Sequence, residues 1–334
     1  MNFGGCRGLG RAPARGMSLR QRANKYASVA RRQAGVFSLS QATAKGLSRK
    51  FIHEQVAANV LTHLGRGVYC VNGVPSTFEL RVWAACLEAN GFASHRTAGW
   101  VWGLDGLGAT APELLEVVVP LQSHRKAKGT RVRRSRTLAP DHIYDAKGPP
   151  RTNVARTLID LSEILGPDEL ELAFDSALRR VRVFRPWITT LLAGLPTRGH
   201  RNIKRLLELV RSDEPALESA FEVQLRQLMR RSGIPTPTCQ YRVREQGRII
   251  ARLDFAWPQL TRPVALLAHG FRWHGKRKRW KYDLQQVSAL NRLGWCVIQC
   301  TTEALADSSE LLADLRAVLP SPTPPTVRNT FHPG

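Results

Sequence analysis

The chain has 334 residues, more than one ordinary hydrophobic core accommodates, so we expect two or three domains. The chain contains 50 lysine and arginine residues and 26 aspartate and glutamate residues, which gives a net charge of +24. This charge indicates a polyanionic partner such as nucleic acid. The alternatives are an anionic membrane surface, or a composition that is rich in arginine for no functional reason. The sequence contains no apolar run long enough to span a membrane, and its start lacks the apolar segment of a secretory signal, so we expect a cytoplasmic protein. Its six cysteines are scattered without metal-binding or disulfide spacing, so we expect no zinc site.

The N-terminal segment is basic throughout, because the first 53 residues contain 11 lysines and arginines and no acidic residue. We expect residues 1–22 to be a disordered basic arm and a helix to begin near Asn24. Ser38 then caps a short helix, Ser48 caps the next, and two apolar strands follow around a Gly-Arg-Gly turn. This order predicts a winged helix-turn-helix domain over residues 23–74.

The second of the two closely joined helices is the candidate recognition helix of this domain. Cationic side chains in its first turn and at the tip of the wing can contact DNA phosphates or base edges. The candidates are Arg49, Lys50, His53 and, on the wing, Arg66. A small packing module with a solvated basic face is the alternative, and the absence of acidic residues favours DNA binding.

Residues 75–195 predict an α/β middle domain, with helices alternating with apolar strands. The Ser-His-Arg sequence at 94–96 predicts a helix start rather than a catalytic group. The arginine-rich strand at 131–138 either extends the phosphate-binding face or is simply solvated. A linker and helix are predicted at 196–213, and the proline-rich segment 320–334 is expected to be a disordered tail.

The segment 214–319 predicts a C-terminal domain whose elements follow the order α-β-β-β-α-β, a mixed sheet flanked by helices. Polar side chains follow its strands or lie on the adjacent helices, where a metal-assisted phosphodiesterase site is usually built. Carboxylates suit Mg²⁺, and a neutral imidazole can accept a proton from an attacking water. The candidates are Glu222, Asp254, His269, His274 and Asp283.

Part of this domain, about residues 216–306, resembles the very-short-patch repair endonucleases through AFEVQLRQLM, LDFAWP, AHGFRWHG and the Asp of YDLQQVSALNRLGW. The resemblance implies a restriction-endonuclease-like fold and a Mg²⁺ or Mn²⁺ cofactor. By position it places the metal on Asp254 and the Ala268 carbonyl, the base on His274 with Asp283 behind it, and metal-bound water on Glu222 and His269.

The chain departs from that family in the loop after the third strand. Phe271 stands where the family has the first cysteine of its zinc site, so the resemblance implies no zinc. Arg272 replaces one of the two aromatic residues that wedge a mismatch, whereas Trp273 remains. The following KRKRWK sequence is ordinarily a solvated loop, but beside a nuclease site it is predicted to hold phosphates. The basic residues assigned to that contact are Lys276, Arg277, Lys278 and Arg279.

The whole arrangement over residues 30–320 also resembles proteins that join an AbiEi-type antitoxin winged helix to an endonuclease-like C-terminus. The matching pieces are GVFSLSQATAKGLSR, GRGVYCV, ASHRTAGWVWGL, RTNVARTLIDL and LDFAWP. Most members of that group read Glu-x-Asp-Gly where this chain reads Leu267-Ala268-His269-Gly270, which implies a silent site. By the repair-endonuclease pattern, His269 is the expected residue.

Two functional hypotheses follow. The first is a Mg²⁺-dependent DNA-nicking endonuclease directed by the winged helix. The alternative is a transcriptional regulator or antitoxin-like DNA-binding protein, with a possible toxin partner and a catalytically silent nuclease fold. A role in phage defence is compatible with both. Local ion pairs offer structural explanations for two candidates, since Asp254 can pair with Arg252 or Arg272, and Glu222 with Arg226 one helical turn away.

Overall fold

The computed structural model describes residues 18–194, 202–212, 214–269 and 277–320, with the side chains of 277–284 excepted. Its contacts divide the chain into two compact units. The first unit contains the described residues up to Ala93 together with Glu113–Arg151, and the second contains Ser94–Pro112 with the described residues from Thr152 onward. The predicted middle domain, 75–195, is therefore divided between the units, because its strands pair in a sheet of the first while most of its helices pack in the second.

The first unit begins with the three predicted helices and the predicted hairpin, together with one further strand, β1, that the sequence did not indicate. The elements are α1 (Leu19–Ala30), β1 (Val36–Ser38), α2 (Leu39–Ala44), α3 (Arg49–Ala57), β2 (Leu61–Gly65) and β3 (Val68–Val71). The strands pair in the order β1-β3-β2. Their core is built on Phe37, which is completely buried and stacks between the rings of Tyr26 and Tyr69 at 5.3 and 5.9 Å.

The predicted disordered arm, residues 1–22, extends too far along the chain. Helix α1 begins at Leu19, five residues before the predicted start near Asn24. Ser18 caps the helix by accepting a hydrogen bond from the backbone N–H of Gln21, and the Gln21 side chain accepts one from the Ser18 N–H. This reciprocal cap satisfies amides that the first turn leaves without partners, so residues 19–22 are helical. Residues 1–17 of the predicted arm lie outside the described part of the chain.

A second sheet of the first unit follows α4 (Phe78–Ala89), which packs on strands of both sheets. Its strands are β4 (Phe92–Ala93), β5 (Leu115–Pro120), β6 (Thr130–Ser135), β7 (Ile143–Tyr144) and β8 (Arg151–Thr152). They pair in the order β6-β5-β4-β8-β7, with β5 and β6 parallel, so the arginine-rich β6 is an edge strand of this sheet.

The second unit contains a helical layer and a four-stranded sheet, each with its own apolar cluster. The helices are α5 (His95–Trp102), α6 (Val154–Leu161), α7 (Pro167–Ser176), continued by a π-helical turn over Ala177–Val181, α8 (Arg185–Ala193) and α9 (Ile203–Arg211). Helix α9 confirms the helix predicted within 196–213. No helix in the described part of the chain is long and apolar enough to cross a membrane.

The sheet of the second unit has the predicted α-β-β-β-α-β order, followed by one further helix. The elements are α10 (Ala220–Arg231), β9 (Thr238–Glu245), β10 (Arg248–Trp257), β11 (Val264–His269), α11 (Arg277–Arg292), β12 (Cys296–Thr301) and α12 (Ser309–Val318). The strands pair in the order β12-β11-β10-β9. Strand β11 pairs parallel to β12 and antiparallel to β10, so the apolar strand VALLA is central, as its composition predicts.

Candidate functional site

Helix α3 presents a cationic face opposite its buried face. The Ser48 hydroxyl accepts a hydrogen bond from the Phe51 N–H at 3.1 Å, which fixes the start of the helix. Phe51 and Ile52 are buried in the core of the first unit. The three basic side chains predicted to contact DNA, Arg49, Lys50 and His53, are all exposed. Positions three or four apart share one face of a helix, so these side chains form one surface.

Helix α1 supports this surface from behind. The Lys25 ammonium donates a hydrogen bond to the Lys45 carbonyl at 2.8 Å, at the end of α2, and the Arg22 guanidinium lies 5.6 Å from the centre of the Phe51 ring. Gly46, in the turn between α2 and α3, has a φ of +79°, a conformation that residues with a side chain rarely adopt. The recognition helix is therefore held by α1 and by a glycine-dependent turn.

The predicted wing is the tight connection between β2 and β3. Arg66 at its tip is exposed, and Gly67 beside it has a φ of +69°. The Arg66 N–H donates a hydrogen bond to a carboxylate oxygen of Glu88 at 3.0 Å, so the tip is anchored to α4. Sequence reasoning missed His63, an exposed residue of β2 whose ring lies 5.2 Å from that of Tyr69. Its position in a strand that leads directly to the basic tip was the available signal.

In the second unit, the predicted metal ligand Asp254 lies on β10 beside the next strand. One carboxylate oxygen accepts a hydrogen bond from the Ala268 N–H at 2.8 Å, so Asp254 and Ala268 are brought together as the sequence analysis expects. The proposed partner Arg252 instead pairs with Glu218 and donates to the Gln240 side chain. An ion pair with Arg252 therefore does not explain the position of Asp254, and the other predicted partner, Arg272, lies outside the described residues.

Glu222 is buried near this carboxylate, and its local ion pair with Arg226 is not formed. Its oxygens accept hydrogen bonds from the Ser219 hydroxyl at 2.7 Å, the Gln240 amide at 2.8 Å and the Glu218 N–H at 2.9 Å. Arg226 points elsewhere because three other carboxylates bind it, those of Glu171, Asp175 and Glu214. The structural explanation offered by helical spacing is thus wrong for this residue.

Burial raises the pKa of Glu222 from 4.5 to about 7, opposed by the Ser219 hydrogen bond and reinforced by the negative charge of Asp254. Burial also raises the pKa of Asp254 from its ordinary value, opposed by the hydrogen bond from the Ala268 N–H and by the charge of His269. Near neutral pH, Glu222 is therefore held partly in its protonated form, and the neighbouring Asp254 is a second carboxyl group whose pKa is raised.

This raised pKa makes the stability of the second unit depend on pH. Because the folded state favours protonated Glu222, its stabilising contribution is complete below pH 4.5 and is lost as the pH rises through about 7. Glu222→Gln stays neutral, so we expect the variant to be more stable than the wild type at pH 8 by up to about 3 kcal/mol, and similar to it at low pH. Urea denaturation across this pH range measures the difference. The control is Glu245→Gln, which removes an exposed carboxylate of β9; equal pH profiles for wild type and Glu222→Gln would contradict the assignment.

His269 ends β11, and its Nε2 atom lies 3.0 Å from the Gln299 side-chain oxygen on β12. The remaining site predictions are not placed by the structure: the positions of His274, Arg272, Trp273 and Lys276 lie outside the described residues, as do the side chains of Asp283, Arg277, Lys278 and Arg279 in α11. Within the described residues, no group of three or more His, Cys, Asp or Glu side chains can hold a metal ion.

Leu267, where the antitoxin-type pattern has an acidic residue, belongs to a buried apolar cluster with Leu253, Leu290 and Trp295. Its side chain is 6 % exposed, so this position serves the core of the unit. A carboxylate here would have to replace that packing, which is a physical reason for the absence of the acidic ligand.

The Ser-His-Arg sequence starts α5, as predicted, although its serine does not cap the helix through its side chain. The Ser94 hydroxyl lies 3.0 Å from His95 Nδ1 instead, and His95 Nε2 lies 3.2 Å from a Glu163 carboxylate oxygen. This order of side chains resembles a nucleophile, base and acid, but Ser94 is 0 % exposed and His95 is 3 % exposed. A substrate cannot reach the hydroxyl, so we interpret the trio as structural.

Comparison with known proteins gives two findings. An uncharacterised protein of Mycobacterium tuberculosis, in strains CDC 1551 and H37Rv, is 26% identical over 258 residues, which are 75% of this chain and 89% of the relative. Residues 24–72 match the protein family described as "Transcriptional regulator, AbiEi antitoxin". This segment runs from within α1 to the end of the wing, so the part of the chain that carries the exposed cationic helix is similar to AbiEi antitoxin regulators.

Proposed function

We propose that this chain is a DNA-binding transcriptional regulator of the AbiEi antitoxin type, whose residues 23–74 form a winged helix. The exposed cationic face of α3, within the segment that matches the regulator family, carries the proposal. The order of helices and strands and the β1-β3-β2 sheet support the winged-helix assignment. The family also suggests a toxin partner, for which no surface is assigned here.

The proposed contact places the start of α3 in the major groove. Helix α3 has nine residues and is therefore about 14 Å long, and the diameter of an α-helix with its side chains, about 10–12 Å, suits a groove about 12 Å wide. Its first turn carries no acidic residue, and the positive end of the helix dipole adds to the charge of Arg49 and Lys50. Arg66 on the wing would then reach a phosphate beside the helix, a contact that sets register without reading sequence.

The test is a binding assay with the full-length chain and duplex DNA from upstream of its own coding region. We expect salt-dependent binding that is at least about 1,000-fold tighter than binding to unrelated duplex, the usual lower limit for specific regulators. Both duplexes must be measured at the same ionic strength, because the electrostatic part of the affinity is shared by specific and non-specific complexes. Equal affinity for both duplexes, or no binding at all, would overturn the proposal.

A DNA endonuclease is the second candidate, favoured by one observation. The second unit has an α-β-β-β-α-β order with parallel β11 and β12, which supports a restriction-endonuclease-like fold, and Asp254 lies beside Ala268 within it. The burial of Leu267 in the core argues for a silent site.

Supercoiled plasmid distinguishes the two candidates. For the regulator we expect no nicking by the wild type in the presence of Mg²⁺ or Mn²⁺ beyond the level given by Asp254→Ala. The variant is the control for contaminating nucleases, because both proteins are purified in the same way. Nicking that is present in the wild type and lost in Asp254→Ala would establish the endonuclease instead.

A further inference from the structure

The DNA-binding surface of the first unit extends beyond the winged helix. We propose that the basic loop of residues 124–128, between β5 and β6, binds duplex phosphates beside those contacted by the wing. The inference rests on the proposed function, since it requires the wing to lie on DNA. It adds a contact outside residues 24–72, the segment that matches the regulator family.

One carboxylate joins the wing to this loop. Glu88, half-buried on α4, accepts a hydrogen bond from the Arg66 N–H at 3.0 Å with one oxygen and from the Lys128 N–H at 3.2 Å with the other. The backbone of the wing tip and the backbone of the loop therefore lie on either side of a single side chain. Glu88 is a positioning residue, because it contacts backbone groups and leaves the cationic side chains free to point outward.

The approach of Glu88 requires a glycine in the wing. A Cβ atom on Gly65 would lie 2.5 Å from the carboxyl atoms of Glu88, closer than Cβ atoms come to other atoms in proteins. The glycine of the Gly-Arg-Gly turn before Arg66 thus makes room for the carboxylate. The close approach of the Glu88 carboxylate therefore depends on the glycine at position 65.

The arginines of β6 bind groups within the protein, so they are not the cations that we assign to DNA. Arg133 and Arg131 lie 2.9 and 3.8 Å from an oxygen of the buried Glu116, and the Arg134 Nε atom donates to the Ser123 carbonyl at 2.8 Å. Ser123 precedes the basic loop directly, so Arg134 holds its first turn. The sequence left phosphate binding or simple solvation open for this strand, and these contacts instead give the three arginines a structural role.

The loop itself carries cations whose charge is not neutralised nearby. Arg125, Lys126 and Lys128 are exposed and form no ion pair with any described residue, while the buried Ala127 anchors the loop between them. With the exposed Arg66 of the wing tip, they place four cations on the two segments that Glu88 joins, more positive charge than its single carboxylate balances. DNA offers a matching partner, because a duplex carries one negative charge per about 1.7 Å of helix axis.

The salt dependence of binding tests this contact. For the triple variant Arg125→Ala, Lys126→Ala, Lys128→Ala we expect the slope of log affinity against log salt to fall in magnitude by about 2.7, since each phosphate contact contributes about 0.9. The duplex must extend about 10 bp beyond the recognised site, so that flanking phosphates are present. The matched control, Arg242→Ala, Arg244→Ala, Arg248→Ala, removes three exposed charges from the β9–β10 hairpin of the second unit. A smaller slope in both variants would show a general charge effect and overturn the assignment.

The variant Glu88→Ala provides an independent test, because the two explanations predict opposite changes in its affinity for DNA. Removing a negative charge near DNA should strengthen binding if charge alone matters. If Glu88 positions the wing and the loop, the variant should bind more weakly and show a smaller salt slope, with an unchanged circular dichroism spectrum. Tighter binding by this variant would overturn the positioning role.

Failure of this inference and failure of the proposed function give different results. If the wild type shows no preference for its own upstream duplex, the proposed function fails and the loop contact fails with it. If that preference is present but the triple loop variant keeps the slope and affinity of its control, only the loop contact is overturned. Retained DNA binding together with loss of an acidic protein ligand in the loop variant would assign these cations to a protein partner and overturn the phosphate contact.

Discussion

The variant Glu171→Ala is expected to lower the free energy of unfolding of the second unit by about 3–5 kcal/mol. Glu171 lies on α7 with its side chain 1% exposed. Its carboxylate receives charge-assisted hydrogen bonds from three arginines: Arg205 at 2.7 Å, Arg226 at 2.9 Å and Arg230 at 3.0 Å. Burial raises the pKa of this carboxyl, but the arginines outweigh it and hold the pKa below its usual value. Removing the carboxylate takes a buried hydrogen-bond acceptor from three arginines at once. Each arginine keeps another carboxylate, so the expected loss comes from the missing charge-assisted hydrogen bonds, each of which contributes about 1.5–3 kcal/mol.

Glu208→Ala is the matched control for this prediction. Glu208 also pairs with Arg205, at 3.2 Å, but its side chain is 65% exposed, so we expect its removal to cost less than about 1 kcal/mol. Urea denaturation followed by tryptophan fluorescence measures both variants, and the signal comes mainly from the second unit because Trp83 is the only tryptophan of the first. Similar losses in the two variants would show that the buried network contributes no more than a surface ion pair.

Local sequence signals predicted where α3 begins. Ser48 as a cap and a glycine in the preceding turn act within a few residues, so the helix could be predicted, while DNA contact by its exposed basic side chains stays a prediction. The start of α1 was missed because the reciprocal cap of Ser18 and Gln21 lies in a stretch that was interpreted only by its charge. The hydrogen bonds that anchor Arg66 and Lys128 to Glu88 join distant residues, and no sequence spacing predicts them.

The second unit shows where such reasoning fails. Helical spacing predicted an ion pair between Glu222 and Arg226, but distant carboxylates bind that arginine more closely. Strand β4 pairs with β5 and β8 across long stretches of intervening chain, which no local pattern indicates. Antiparallel pairing of β10 with β11 brings Asp254 to the Ala268 N–H, while metal binding by this carboxylate and the Ala268 carbonyl stays a prediction. Long-range pairing, which depends on the whole fold, is what the sequence patterns could not supply.

The double variant Arg49→Ala, Lys50→Ala is expected to weaken binding to the recognised duplex at least about 30-fold. Each base-edge contact contributes about 1–3 kcal/mol, and each phosphate contact adds about 0.9 to the salt slope, so the loss combines affinity and salt dependence. Both side chains are exposed and form no ion pair with any described residue, whereas Phe51 and Ile52 of the same helix fill the core. The substitutions therefore remove charge from the surface without disturbing packing.

Because the substituted side chains lie on the surface and not in the core, a loss of DNA binding can be attributed to the missing charges and not to unfolding. Alanine has the highest helix propensity, so the variant should retain α3 and unfold at the same urea concentration as the wild type. Arg242→Ala, Arg248→Ala is the matched control, because it removes two exposed charges from the second unit and leaves α3 intact. Loss of binding in the α3 variant alone, with unchanged stability, assigns recognition to this helix. Equal binding by both variants would mean that α3 is not the reader, and the regulator would then have to recognise DNA through another surface.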